Sequence, residues 1–219
     1  MPGARQGENV YHGERFNAWT HLLGAVAALV GGTWLVVASS LLGDALKIVG
    51  VSVYSGSLLL LYSVSTTYHS VRGRAKAILR KLDHLSIYLL IAGSYTPFCL
   101  VSLKGAWGWT LFGIVWGLAV LGMLQELKPR SEARVLSIVI YAVMGWIVLI
   151  ALGPLYRALG PGGVAWLVAG GASYTIGILF FAYDERFRHW HGIWHLFVIA
   201  GSLLHFVAVW QYVLPARVV

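Results

Sequence analysis

Seven long apolar segments, separated by short polar connections, dominate this sequence of 219 residues. A helix needs roughly 20 apolar residues to cross a hydrocarbon core of about 30 Å, and each segment meets that length. Because a backbone in lipid must satisfy its hydrogen bonds internally, the segments are predicted to be helical. The pattern therefore predicts an all-α bundle of seven transmembrane helices. They cover approximately residues 18–40, 46–69, 83–103, 107–125, 135–153, 162–182 and 192–214.

The composition supports a membrane protein, since 58% of the residues are apolar and only 11% are charged. The net charge of +8 would also suit nucleic-acid binding, but the basic residues lie in short gaps between apolar segments. Such gaps are what membrane topology produces, so membrane lipids rather than nucleic acid are the predicted partners. The first segment is too long for a cleaved signal peptide. Residues 1–219 are predicted to form a single membrane domain.

Lysine and arginine are distributed unevenly between the two sides of the predicted bundle. With the N-terminus in the cytoplasm, twelve of the 16 lie inside and four lie outside. The inner residues are Arg5, Arg15, Arg72, Arg74, Lys76, Arg80, Lys81, Lys128, Arg130, Arg134, Arg186 and Arg188, and the outer ones are Lys47, Lys104, Arg157 and Arg217. The positive-inside rule then predicts a cytoplasmic N-terminus and an external C-terminus. We expect a multi-pass protein of the cell membrane, with a polarity opposite to that of G-protein-coupled receptors.

Ionisable side chains lie at the inner ends of three predicted helices. Helix 2 ends at His69 and helix 3 begins at Asp83. Helix 7 begins with His191 and His195, which are four positions apart and so share one face of a helix. Together with His69 they would form a three-histidine site with a vacant fourth position. Neutral imidazoles suit zinc, and a vacant position is typical of a catalytic zinc ion.

Asp83 and Ser65 are the predicted catalytic residues beside this site. Zinc can lower the pKa of a bound water to about 7, which provides a nucleophile at neutral pH. In the soluble peptidase motif H-E-x-x-H a glutamate is the general base, but Gly192 occupies that position here. Asp83 is therefore predicted to accept the proton, and Ser65 to bind the water or a developing oxyanion. The predicted reaction is hydrolysis of an ester or amide.

Simpler interpretations of each residue stay open at this stage. Asp83 taken alone would equally well cap helix 3 or pair with Arg80, and Ser65 would be an ordinary packing serine. His69 would be an interfacial histidine. Glu14 and His21 at the inner end of helix 1 are candidates for supporting the site, whereas His84, His189 and His205 are assigned no functional role.

The sequence also bears on functions other than hydrolysis. The main alternative is a non-enzymatic membrane sensor or regulator with a structural zinc site. A channel or transporter is disfavoured because few polar residues occupy the outer halves of the helices. A retinal protein is excluded because helix 7 contains no lysine for a Schiff base.

The combined motifs resemble those of a known family. Ser65-x-x-x-His69, Asp83 and His191-x-x-x-His195 are similar to the motif set of the progestin and adipoQ receptor family. The resemblance implies zinc held by the three histidines, with Asp83 and Ser65 near the metal-bound water. It extends to the alkaline ceramidases, which implies hydrolysis of lipid amides.

Two further segments resemble the bacterial haemolysin III branch of that family. They are Glu14-x-x-Asn17-x-x-x-His21 and residues 82–98, and the similarity covers about residues 10–212. This branch implies a role in membrane-lipid homeostasis. Its name implies lysis of red cells, but neither an export signal nor an amphipathic segment typical of a secreted pore-former is present.

Overall fold

The computed structural model describes residues 14–126 and 130–215, which are almost entirely helical and include no β-strand. The helices are α1 (Glu14–Leu42), α2 (Ala45–Ser70), α3 (Arg74–Pro97), α4 (Gly105–Gln125), α5 (Arg130–Trp146), α6 (Leu152–Ala182) and α7 (Trp190–Ala208). Short π-helical segments extend α3 (Phe98–Leu103) and α7 (Val209–Val213), and a 3₁₀ turn (Ile147–Ala151) joins α5 to α6. Of the charges counted above, Arg5, Lys128 and Arg217 lie outside the described residues.

Six helical stretches within these described ranges are long and apolar enough to cross a membrane. The longest, Arg134–Ala182, has 49 residues and includes most of α5, the 3₁₀ turn and all of α6. Its helical geometry is interrupted at Gly160, which has φ 68° and ψ −179°. Glycine adopts this left-handed conformation without steric cost, and Pro161 after it lacks the backbone N–H that a continuing helix would use.

The chain doubles back within this longest stretch. Arg134 Nη2 donates to the Phe181 carbonyl at 2.6 Å, although the two residues are 47 positions apart. Trp146 Nε1 likewise donates to Thr175 Oγ1 at 3.0 Å. A straight helix would separate residues 47 positions apart by about 70 Å, so the two parts on either side of Gly160 must lie side by side.

Helix α3 begins at Arg74, well before the start predicted at residue 83. Four of the nine additional residues are arginine or lysine, which interrupt the apolar pattern and so place these turns outside the predicted segment. Asp83 consequently lies inside α3, after more than two helical turns, and the residue at its N-cap is Gly73. The interpretation of Asp83 as a cap for this helix is therefore wrong.

A cluster of hydroxyl groups joins three helices in the middle of the bundle. Tyr62 Oη of α2 donates to Ser202 Oγ of α7 at 2.8 Å, and Tyr174 Oη of α6 lies 2.9 Å from the same oxygen. Tyr54 Oη donates to the Ser202 carbonyl at 3.1 Å. Since no water is available in hydrocarbon, these mutual bonds satisfy groups that would otherwise be costly to bury.

Close packing of α4 depends on Gly108. A Cβ atom at this position would lie 2.2 Å from the Cys99 carbonyl oxygen, a backbone atom that cannot rotate away. We expect Gly108→Ala to destabilise the protein by about 1–3 kcal/mol through overpacking. Gly117→Ala on the same helix meets no atom within 4 Å and is the matched control. Thermal unfolding in detergent measures both, and equal transition temperatures would contradict this account.

Candidate metal centre

Three histidines from two helices meet in the protein interior near one end of the bundle. His69 lies in the last turn of α2, and His191 and His195 lie in the first two turns of α7. All three are buried. Their ligand nitrogens lie within 4.8 Å of one another, and the ring centroids are separated by 4.7–5.1 Å. Within the described ranges, this is the group of three side chains placed to hold one metal ion.

Carboxylates orient two of these imidazoles through their Nδ1 atoms. His69 Nδ1 donates to Glu14 Oε2 at 3.0 Å, and His191 Nδ1 donates to Asp184 Oδ2 at 2.6 Å. An ionised carboxylate only accepts hydrogen bonds, so each Nδ1 carries the proton and each Nε2 carries the lone pair. This carboxylate–histidine arrangement is the one that supports metal ligands in known metalloproteins.

Hydrogen bonds to α1 give His195 the same tautomer. The Thr20 hydroxyl donates to the Asn17 carbonyl at 2.9 Å, so its oxygen accepts from His195 Nδ1 at 3.1 Å. The Asn17 carbonyl also accepts from this nitrogen, at 3.3 Å. His195 Nε2 is fully buried and has no hydrogen-bond partner. A buried lone pair of this kind, beside two imidazoles of the same tautomer, fits a bound metal ion, and three neutral imidazoles suit zinc.

Basic residues hold the two supporting carboxylates in the ionised form. Glu14 Oε1 accepts from Lys76 Nζ at 3.0 Å, and Asp184 Oδ1 accepts from Arg134 Nη2 at 2.5 Å. Burial alone would raise the pKa of Asp184, but the hydrogen bonds and charges of His191 and Arg134 outweigh it and hold that pKa below its usual value. The two carboxylates therefore stay hydrogen-bond acceptors for His69 and His191, which keeps the Nε2 lone pairs of these rings available to a cation.

Asp83 and Ser65, the predicted catalytic residues, are both buried close to these histidines in the fold. Asp83 lines an apolar cavity together with His21 of α1. It makes no ion pair with Arg80 in the described part of the chain, so that alternative is also wrong. Ser65 lies one turn deeper in α2 than His69, and its Oγ is buried without a hydrogen-bond partner.

His21 of α1 is closer to the histidine cluster than the sequence indicated. Its ring stacks on His195, with centroids 3.5 Å apart and an interplanar angle of 14°. Both of its ring nitrogens are buried without a partner, and the residue lines the same cavity as Asp83. His21 is thus a fourth imidazole beside the three that converge.

Gly192 explains why α7 carries no glutamate between its two histidines. A Cβ atom there would lie 2.3 Å from Phe16 Cδ1 and 2.8 Å from Asn17 Oδ1. Helix α1 therefore occupies the space that a longer side chain would need, and any general base must come from another helix.

Asp184 and Thr20 are the supporting residues that sequence reasoning missed. Asp184 stands seven positions before His191, in the connection between α6 and α7, where an acidic residue is unremarkable.

The three histidines that were assigned no function lie outside the metal centre. His84 is 3.5 Å from Glu126, His189 is exposed at the start of α7, and His205 is deeper in the bundle.

An apolar cavity extends from His21 and Asp83, beside this site, into the bundle. Helices α3, α5, α6 and α7 provide most of its walls, and its polar lining residues include His21, Asp83 and His205. A second cavity shares part of this lining, including His205. It is also lined by Leu149 and Val168, which are 50% and 46% exposed on the outer surface, so it opens toward lipid.

The carboxylate shell can be tested through metal affinity. We expect Glu14→Gln to weaken zinc binding by about 10–100-fold, because the amide no longer fixes the proton on His69 Nδ1. Titration of purified protein against a zinc indicator measures the effect. Glu185→Gln is the matched control, since Glu185 is 60% exposed and bonds Arg134 rather than a histidine. Unchanged affinity in Glu14→Gln would contradict the assigned support.

Comparison with known proteins agrees with this architecture. The haemolysin-III related family matches residues 9–206. The chain is 41% identical to hemolysin-3 of Bacillus cereus over 200 residues, covering 91% of each chain, and 40% identical to the hemolysin-3 homolog of Bacillus subtilis over 197 residues, covering 90% and 92%. The human monocyte to macrophage differentiation factor is 28% identical over 203 residues, covering 90% of this chain and 82% of that protein. The chain is thus a multi-pass protein of the cell membrane and belongs to the haemolysin-III related family.

Proposed function

We propose that this protein is a zinc-dependent hydrolase of lipid amide or ester bonds, acting at the cytoplasmic leaflet in membrane-lipid homeostasis. The observation that carries the proposal is the common tautomer of His69, His191 and His195, which leaves a lone pair on each Nε2, with ligand nitrogens within 4.8 Å of one another. A structural site needs only ligands, whereas this one adjoins a buried carboxylate and an apolar cavity.

The chain's own residues divide the chemistry between them. When bound, zinc supplies Lewis acidity toward water and toward a carbonyl oxygen. Asp83 accepts the proton of the attacking water, since its carboxylate is buried and not consumed by an ion pair with Arg80. Ser65 Oγ donates to the developing oxyanion, a role for which its buried hydroxyl has no competing partner. The apolar cavity holds the acyl chain and excludes water.

The proposal includes seven membrane crossings, with the N-terminus in the cytoplasm and the C-terminus outside. The reversal of the chain at Gly160 supports two crossings within Arg134–Ala182. The excess of basic residues supports a cytoplasmic location for the end that carries the histidines. Lys76 and Arg134, which bond the two supporting carboxylates, belong to that basic end.

Measurements of metal content and of turnover distinguish the proposed metal ligands from the proposed general base. Purified protein should contain about one zinc per chain. We expect His191→Ala to lose the metal, whereas Asp83→Asn keeps it but loses activity by about 10²–10⁴-fold. The measurements are elemental analysis and an assay against ceramides, phospholipids and acyl amides. His189→Asn is the matched control, because His189 is exposed and asparagine tolerates its positive φ of 67°.

Two outcomes would overturn the proposed hydrolase function. Purified wild-type protein without any metal would reject the zinc site itself. Retained cellular function in Asp83→Asn, together with loss of folded protein in His191→Ala, would favour the sensor with a structural metal.

The topology can be tested by labelling in intact cells. Cys99 is the sole cysteine of the sequence, so Cys99→Ser provides a background without thiols. In that background Arg157→Cys should react with an impermeant maleimide in intact cells, and Arg186→Cys should react only after lysis. Both arginines are exposed, so access is not limited by folding. The reverse labelling pattern would contradict the proposed orientation.

A further inference from the structure

His205 is a polar group in the apolar cavity with one unused hydrogen-bonding site. It lies on α7, and a charged ring at this depth would be costly, so the neutral imidazole is the relevant form. Nε2 lies 3.3 Å from the Leu167 carbonyl, which can only accept, so Nε2 carries the proton. Nδ1 is then an acceptor, and it is buried without a partner.

The surrounding helices are shaped to seat this ring. A Cβ atom at Gly170 of α6 would lie 2.2 Å from His205 Cδ2, so the position of the imidazole depends on a glycine. Tyr174 packs edge-on against the ring at a centroid distance of 5.4 Å, and its own hydroxyl is bonded to Ser202. Tyr174 therefore does not supply a hydrogen-bond donor to Nδ1.

The position of His205 in the cavity defines what that ligand would look like. His205 follows His195 by ten positions on one helix, which places it about 15 Å deeper, a span that an extended acyl chain covers with roughly twelve carbon atoms. The ring lines both cavities, so a chain passing it continues into the second, lipid-facing one. A hydroxyl group is the ordinary hydrogen-bond donor on such a chain.

We propose that His205 selects lipid substrates whose acyl chain carries a mid-chain hydroxyl group, which donates to Nδ1 while the acyl bond lies beside Asp83. This inference rests on the proposed function, because the hydrolase explains why an acyl chain would enter from the histidine end. His205 acts here as a specificity-determining residue. An unsatisfied buried acceptor disfavours plain chains, and a donor at the right carbon removes that penalty.

Fatty-acid binding to the full-length protein in nanodiscs tests the inference without requiring turnover. The probes are octadecanoic, 2-hydroxyoctadecanoic and 12-hydroxyoctadecanoic acid, followed by the fluorescence of Trp146 and Trp194, which line the cavity. We expect the 12-hydroxy acid to bind about tenfold more tightly than the other two. Equal affinities of the wild-type protein for all three acids, or no binding of any, would overturn the proposal.

Variants of His205 test whether its imidazole causes the preference for the 12-hydroxy acid. His205→Phe should abolish the tenfold preference while retaining affinity for octadecanoic acid, because the ring volume is kept and the acceptor is lost. His205→Asn places an acceptor oxygen near the position of Nδ1 and should retain a preference. This variant tests the acceptor even if His205→Phe does not fold. Leu203→Ala, on the lipid-exposed face of α7, should behave as wild type. A preference that persists in His205→Phe would overturn the assignment.

The two proposals fail in different ways. A preference for the 12-hydroxy acid without hydrolysis of any acyl amide or ester would reject the hydrolase and retain the role of His205. Hydrolysis that is indifferent to a mid-chain hydroxyl would reject the role of His205 and retain the hydrolase.

Discussion

Hydrogen bonds from the three Nδ1 atoms hold together the end of the bundle that carries the histidines. Glu14 and Thr20 of α1 accept from His69 of α2 and His195 of α7, so one helix orients rings on two others. Asp184 performs the same task for His191 from the α6–α7 connection. Because a buried imidazole without these acceptors would be free to rotate or change tautomer, the metal centre depends on the packing of α1 as much as on its ligands.

The membrane environment imposes a similar requirement on the rest of the bundle. Each polar group in hydrocarbon must find a partner within the protein, since water is absent. At the transition from α5 to the 3₁₀ turn, the hydroxyl of Tyr95 bonds backbone carbonyls. Its Oη lies 2.7 Å from the Met144 carbonyl oxygen and 2.9 Å from the Gly145 carbonyl oxygen. The acceptor on His205 and the ring nitrogens of His21 are among the buried groups that such bonds leave unpaired, and both residues line the apolar cavity.

Hydropathy predicted an all-helical membrane protein, and the direction of the helices together with residue spacing predicted a three-histidine cluster at their inner ends. Apolar length marks each helix, and a spacing of four places His191 and His195 on one face. The start of α3 was misplaced because arginine and lysine residues interrupt the apolar pattern in its first turns. The same error made Asp83 look like a helix cap. Its assignment as the base, and that of Ser65 as an oxyanion donor, stay predictions.

The sequence by itself determined which segments enter the membrane, which of their ends carry positive charge, and which residue types are available there for metal chemistry. Only the tertiary structure decided which nitrogen of each histidine faces the common centre. That choice depends on contacts between residues 55 positions apart for His69 and Glu14 and 175 apart for His195 and Thr20. It also decided that an apolar cavity runs from Asp83 to His205. Such contacts arise when helices pack side by side, and no periodicity within one helix encodes them.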